Sequence, residues 1–97
     1  MKMPQETIDA VLELVKTDIG ITHNKSDEYF SLAIPAAESD LARKGIDIDA
    51  EDTGDIFLLK DYVCWMYRNR IRGEPVPNSL VFRIRDRIIR ARSERDE

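Results

Sequence analysis

The chain has little of the chemistry that catalytic and metal sites use, because its 97 residues include one cysteine and one histidine. The single cysteine, Cys64, excludes an intramolecular disulfide and indicates a reducing compartment. The single histidine, His23, has no second histidine or nearby cysteine with which to bind zinc, so a loop or capping role is expected. Lys60, Asp61 and Arg68 interrupt the most apolar stretch, so we expect neither a membrane span nor a signal peptide.

Catalytic and cofactor motifs are also missing. One histidine and one cysteine supply no credible Ser/His/Asp or Cys/His set, and no glycine-rich phosphate loop is present. A D-x-D pattern beginning at Asp47 resembles the start of a calcium loop. Its sixth position is Asp52 rather than Gly, however, and its twelfth is Leu58 rather than Glu. We therefore predict that the protein is not an enzyme and has no catalytic, metal or cofactor site.

Charge is distributed unevenly along the chain. Residues 1–61 carry six Lys/Arg and fourteen Asp/Glu, whereas residues 62–97 carry nine Arg and five Asp/Glu. One interpretation is a solvated surface that happens to be polarised. The other is a molecule with an acidic and a basic side, which can pack head to tail with copies of itself into a ring or a filament.

Apolar residues recur with a helical period along the whole chain, and no segment alternates as a strand does. The predicted helices cover residues 5–18, 26–44, 53–72 and 78–93 of a single domain, 1–97. Short links make antiparallel neighbours the expected arrangement. The sequence therefore predicts an all-α fold, a small bundle of about four helices, with residues 1–3 and 92–97 frayed.

The third predicted helix is apolar on most of its circumference, which is typical of a helix buried on several sides. Cys64 lies within it as a small buried side chain, and another subunit is a candidate to cover one of its faces. Asp52 is the predicted N-cap and Gly73 the predicted stop, as Gly20 is for the first helix. Pro35 predicts a kink or an early break in the second helix, near residues 31–34.

The last predicted helix has more than one apolar face. Leu80, Ile84, Ile88 and Ala91 share the face that should pack on the third helix. A helix packed on one side does not need the second stripe that Phe82 and Ile89 form with Arg85 between them. Tyr29 and Leu32 likewise fall off the main stripe of the second helix, as marginal surface or as part of a partner contact.

Direct DNA binding is a weaker interpretation of the same helix. Its arginines could contact phosphates; they are Arg83, Arg85, Arg87, Arg90, Arg92 and Arg95. The whole chain is acidic, however, with a net charge of −4, and Asp86 and Glu94 interrupt the run. The sequence also lacks the glycine-containing turn between two short helices that would indicate a helix-turn-helix.

Five segments of the chain resemble the YqbG-like group of small phage head-tail connector (head completion) proteins. The segments are VKTDIGIT at 15–22, NKSDE at 24–28, IPAAE at 34–38, GIDID at 45–49 and VCWMYR at 63–68. A last helix after Pro77 completes the resemblance, which covers about residues 5–92. Pro35 and the many arginines of the last helix depart from the family's pattern.

The resemblance implies a structural virion protein of a tailed phage or prophage, assembled in the host cytoplasm. Its subunits would form an about twelve-fold ring at the head-tail interface, between the portal protein and a tail-side connector or stopper protein. DNA would pass through the bore without sequence-specific binding, and no membrane or cofactor would be involved. The alternative is a small helical DNA-binding or adaptor protein.

A ring needs two different patches on each subunit. We therefore predict a subunit or portal interface that includes an apolar part and two arginines. Its candidate residues are Phe82, Arg85, Ile89, Arg92, Tyr29 and Leu32. The alternative for the arginines is a solvated face.

Overall fold

A computed structural model of the protein describes residues 3–96. It contains four helices, α1 (Gln5–Ile19), α2 (Asp27–Arg43), α3 (Thr53–Arg72) and α4 (Asn78–Asp96). No strand occurs between residues 3 and 96. The predicted all-α bundle is therefore confirmed, and the first three helices begin and end within one residue of their predicted bounds.

The predicted helix ends are confirmed where they depend on local chemistry. Gly20 ends α1 with φ 86° and donates its amide to the Lys16 carbonyl, and Gly73 ends α3 with φ 66°. This left-handed conformation favours glycine because other side chains clash with the backbone there. At the start of α3 the Asp52 carboxylate accepts the backbone N–H of Asp55 at 3.2 Å, as an N-cap should.

Helix α3 is the centre of the bundle. It contacts α1, α2 and α4, and α1 also contacts α2, whereas α4 contacts α3 alone. The α4 arginines 83 and 87 pair with the α3 aspartates 61 and 55, and Arg90 pairs with the N-cap residue Asp52, so these two helices run antiparallel. Because only one helix covers it, α4 leaves most of its circumference open.

The core lies between α3 and the α1–α2 pair. Its fully buried side chains come from all three helices, and Leu80 and Ile84 add the α4 contribution. Ile46 and Ile48 are also buried, with 0% and 2% of their surface exposed. The segment between α2 and α3, which the sequence indicates as an acidic link, therefore also contributes to the core.

Pro35 does not break α2, so of the kink or early break predicted near residues 31–34 the break is wrong. A proline has no N–H, so the carbonyl of Ser31, four residues earlier, lacks its helical donor. Ser31 is exposed, and water can reach that carbonyl. The neighbouring face of the helix is held by Phe30 and Ile34, which are fully buried. Packing of this face outweighs one missing hydrogen bond.

The chain ends also differ from the expected fraying. Met3 is 8% exposed and belongs to the core, because it packs beside the first turn of α1. Helix α4 continues to Asp96, three residues beyond its predicted end. Residues 1, 2 and 97 lie outside the described part of the chain.

Candidate functional site

Four of the predicted interface residues form one exposed surface on α4. Phe82 is 60% exposed and Ile89 61% exposed, and Arg85 and Arg92 are exposed beside them. Leu80, which packs on α3, lies about 180° away round the helix from Phe82. We call Phe82, Arg85, Ile89 and Arg92 the α4 outer face.

The arginines of the α4 outer face differ from the other α4 arginines. Among residues 3–94, neither Arg85 nor Arg92 lies within salt-bridge distance of a carboxylate. Arg83, Arg87 and Arg90 each pair with an aspartate of α3 or with its N-cap residue. The α4 outer face is therefore apolar and positively charged, with its cations available to a partner.

Among the described residues, four ion pairs join α4 to α3 and its N-cap residue, and we call them the α3–α4 ladder. Arg83 lies 2.5 Å from Asp61, and Arg87 lies 2.8 Å from Asp55. Arg90 lies 3.3 Å from Asp52 and 3.4 Å from Asp55. Much of the basic charge in the second half of the chain is thus neutralised within the molecule. The basic charge predicted for the second half of the chain therefore remains only at arginines that stay unpaired, such as those of the α4 outer face.

Asp55 is the buried centre of the ladder, with 2% of its surface exposed. Arg87 donates to both of its carboxylate oxygens, at 2.8 and 3.1 Å, and the Asp49 amide donates to it at 2.9 Å. Burial by itself raises the pKa of the Asp55 carboxyl. The hydrogen bonds from Arg87 and Asp49, with the charges of Arg87 and Arg90, outweigh burial and hold that pKa below 3.8.

Asp61 is held in the same way at the other end of the ladder. Burial raises the pKa of the Asp61 carboxyl, but hydrogen bonds from Lys60 and Arg83 outweigh burial and hold that pKa below 3.8 in the folded protein. The carboxyls of Asp55 and Asp61 are therefore ionised at neutral pH.

The ladder makes the stability of the protein dependent on acid. A carboxyl whose pKa is lower in the folded than in the unfolded chain stabilises the fold fully above the unfolded value. That contribution is lost as pH falls through the folded value. We expect the Tm to be level near pH 7 and to fall steeply below about pH 4, by about 4–8 °C for each kcal/mol lost. Thermal melts followed by circular dichroism from pH 7 to pH 2.5, about the range in which carboxyls titrate, measure this.

Asp61→Asn provides the matched control for this pH dependence. Asparagine keeps the shape of the side chain but does not titrate, so the fall in Tm on acidification should be smaller than in the unaltered protein. An identical fall in both proteins would show that the Asp61 carboxyl is not its source.

Tyr29 is placed differently from the α4 outer face. Its ring lies 5.3 Å from the Phe30 ring and 6.1 Å from the Tyr67 ring, centroid to centroid. The Arg70 guanidinium lies 4.5 Å from the Tyr29 ring centroid, within cation–π range. Tyr29 is thus half-buried and packed within the subunit, against α3.

Leu32 is open to solvent but lies apart from the α4 outer face. It is 71% exposed on the side of α2 that faces away from the core. Helices α2 and α4 make no contact with each other in residues 3–96. The structure therefore brings together four of the six predicted interface residues, and it separates Leu32 and Tyr29 from them.

One stripe of α3 is partly open, as a helix with a face left for another subunit would be. Phe57 is 41% exposed and Ile71 60% exposed. Between them Cys64 is 1% exposed, and burial together with the nearby Asp18 carboxylate raises the pKa of its thiol to about 11. Cys64 is a buried, protonated side chain, in agreement with its predicted role.

Several charged residues that pack the helices together were not predicted. Lys16 is 8% exposed and lies 3.0 Å from Asp27, which joins the end of α1 to the start of α2. Lys60 is 8% exposed and lies 2.9 Å from Asp18, which joins α3 to α1. Their only sequence signal is a lysine at an apolar helical position, which a long side chain on the surface would also explain.

No family model matches the chain, and neither does any curated protein or any solved structure. Within the described helices, none is long and apolar enough to cross a membrane.

Proposed function

We propose that the protein is a structural subunit of a tailed phage or prophage, which forms a ring between the portal protein and the tail-side connector. The α4 outer face carries this proposal, because it offers two large apolar side chains and two unpaired arginines on one helix. The resemblance of the segments between residues 15 and 68 to head-tail connector proteins supplies the kind of assembly.

The composition of the α4 outer face suits a protein interface. Aromatic residues and arginine are enriched in such interfaces and among the side chains that dominate their affinity. Full burial of Phe82 or Ile89 would contribute at most about 2 kcal/mol each. A single contact of this size is weak, but closing a ring or docking on a preformed portal makes many such contacts at once.

The α3–α4 ladder weighs against the DNA-binding alternative. Arg83, Arg87 and Arg90 are held by aspartates, so phosphate binding by these arginines would compete with ion pairs already made. A helical adaptor in another assembly would use the α4 outer face as well as a connector would, and only its partner would differ.

The double substitution Arg85→Glu, Arg92→Glu is expected to prevent joining to the portal while leaving the subunit folded. Both side chains are exposed and unpaired, so the free energy of unfolding should change by less than about 0.5 kcal/mol. Light scattering behind a sizing column measures the assembly, for the protein alone and then mixed with the portal protein from the same genome. The unaltered subunit should enter a large complex with the portal.

Arg68→Glu, Arg72→Glu is the matched control, because it makes the same change of charge on two exposed arginines of α3. This variant should still join the portal. Unimpaired joining by the α4 variant would overturn the role of the α4 outer face. If the unaltered subunit ignored the portal, the connector proposal would be wrong, and salt-dependent retention on DNA would then favour the DNA-binding alternative.

A further inference from the structure

Helix α1 has an exposed face whose charge is opposite to that of the α4 outer face. Glu6, Ala10, Glu13 and Thr17 are all exposed and lie on the side of α1 away from Val11 and Val15, which are fully buried. In residues 3–94 neither glutamate lies within salt-bridge distance of a cation. We call these four residues the α1 acidic face.

The two faces have the same spacing. On α4, Arg85 and Arg92 lie four residues before and three residues after Ile89. On α1, Glu6 and Glu13 lie four residues before and three residues after Ala10. In each helix two like charges therefore flank one central position, about one turn away on either side. Ile89 projects a large side chain from its centre, and Ala10 presents a small one.

The charges can pair in either relative direction of the two helices, and the position of Phe82 favours an antiparallel contact. With Ile89 over Ala10 and the helices antiparallel, Arg85 lies within one residue of the position opposite Glu13, and Arg92 within one residue of the position opposite Glu6. Phe82, two turns from Ile89, then lies over Thr17, which is small and exposed. In the parallel arrangement Phe82 would instead lie over Met3, which is 8% exposed and committed to the core.

We propose that the α4 outer face of one copy binds the α1 acidic face of the next copy. The inference rests on the proposed function, since it names the neighbouring copy as the partner of the same α4 outer face. Helices α1 and α4 both pack on α3, and they make no contact with each other in the described chain. Each copy therefore has both faces free at once, and repetition of this heterologous contact generates a ring or a filament.

A disulfide between Ala10→Cys and Ile89→Cys tests the contact directly. In the fold described, no residue pair of α1 and α4 has Cα atoms within 8 Å, so the two cysteines of one chain cannot pair with each other. Cys64 is 1% exposed and does not compete. Oxidation of the doubly substituted chain at the highest soluble concentration should yield disulfide-crosslinked oligomers, seen as dimers, trimers and larger species on a non-reducing gel.

Charge exchange supplies the second arm of the experiment. Adding Arg85→Glu and Arg92→Glu to the two-cysteine chain should reduce the yield of crosslinked oligomers at least about tenfold, because like charges then face each other. Further addition of Glu6→Arg and Glu13→Arg should restore that yield. The control chain carries Leu32→Cys with Ile89→Cys, which places the first cysteine on an exposed face of α2. This chain should give no crosslinked oligomers.

The outcomes separate this inference from the proposed function. Portal joining without crosslinked oligomers would overturn the inference and leave the connector function standing. Crosslinking that is restored by charge exchange, in a protein that ignores the portal, would support the inference and overturn the connector function. Dimers that form with Ile89→Cys alone, or an equal yield of crosslinked oligomers from the Leu32→Cys control, would overturn the α4–α1 contact.

Discussion

Replacement of Phe30 by alanine is expected to lower the free energy of unfolding by about 3–5 kcal/mol. The Phe30 side chain is 0% exposed, and its ring lies 5.2 Å from that of Tyr67, centroid to centroid. Alanine would remove these contacts and leave a cavity where α2 packs on α3. Urea denaturation followed by circular dichroism measures the loss, and the slope of the transition should stay unchanged.

The same chemical change at Phe82 is the matched control for Phe30→Ala. Phe82 is 60% exposed on α4, so Phe82→Ala should change the free energy of unfolding by less than about 0.5 kcal/mol. It should nevertheless weaken joining to the portal. Comparable destabilisation by the two variants would contradict the separation of a core phenylalanine from an interface phenylalanine.

Replacement of Arg87 by methionine is expected to destabilise the fold by about 3 kcal/mol, because removal of one partner leaves a buried charge behind. Asp55 is 2% exposed and would keep its amide hydrogen bond from Asp49, but it would lose both hydrogen bonds from Arg87. Arg90, whose guanidinium lies 3.4 Å from the Asp55 carboxylate, compensates in part. Among the described helices α4 contacts only α3, and Arg87 also donates to the Asp47 carbonyl at 3.1 Å, so the loss should act mainly on the docking of α4. Urea denaturation measures it.

Two further variants isolate the buried charge as the cause. Arg83→Met removes an ion pair whose side chains are 43% and 30% exposed, so it should cost less than about 1 kcal/mol. The double variant Asp55→Asn, Arg87→Met removes the charge together with its partner and should be more stable than Arg87→Met alone. Equal costs for Arg87→Met and Arg83→Met would show that burial does not set the strength of this pair.

The features predicted correctly depend on neighbours in sequence. Gly20 and Gly73 end helices because the left-handed backbone favours glycine wherever it occurs. Asp52 caps α3 because its carboxylate reaches an amide three residues on. The exposed stripe of Phe82 and Ile89 was predictable for the same reason, since a helical period places residues on faces without reference to the rest of the fold.

The features missed or predicted wrongly depend on contacts between distant segments. Pro35 was expected to kink or break its helix, but α2 continues through it because packing against the core outweighs the missing hydrogen bond. Ile46 lies in an acidic link by sequence and in the core by structure. Tyr29 departs from the main stripe of α2, yet Tyr67 and Arg70 cover its ring.

The sequence alone was sufficient to predict four helices, the ends of the first three, and a last helix with one apolar face more than packing on one side requires. Helical periodicity and capping act over three or four residues, so they can be read without the fold. Which arginines stay free depends on how the helices pack, because an ion pair requires two side chains to be close in space. Arg87 and Arg85 look alike along the chain, yet the antiparallel packing of α4 on α3 brings Arg87 within 2.8 Å of Asp55 and turns Arg85 towards solvent.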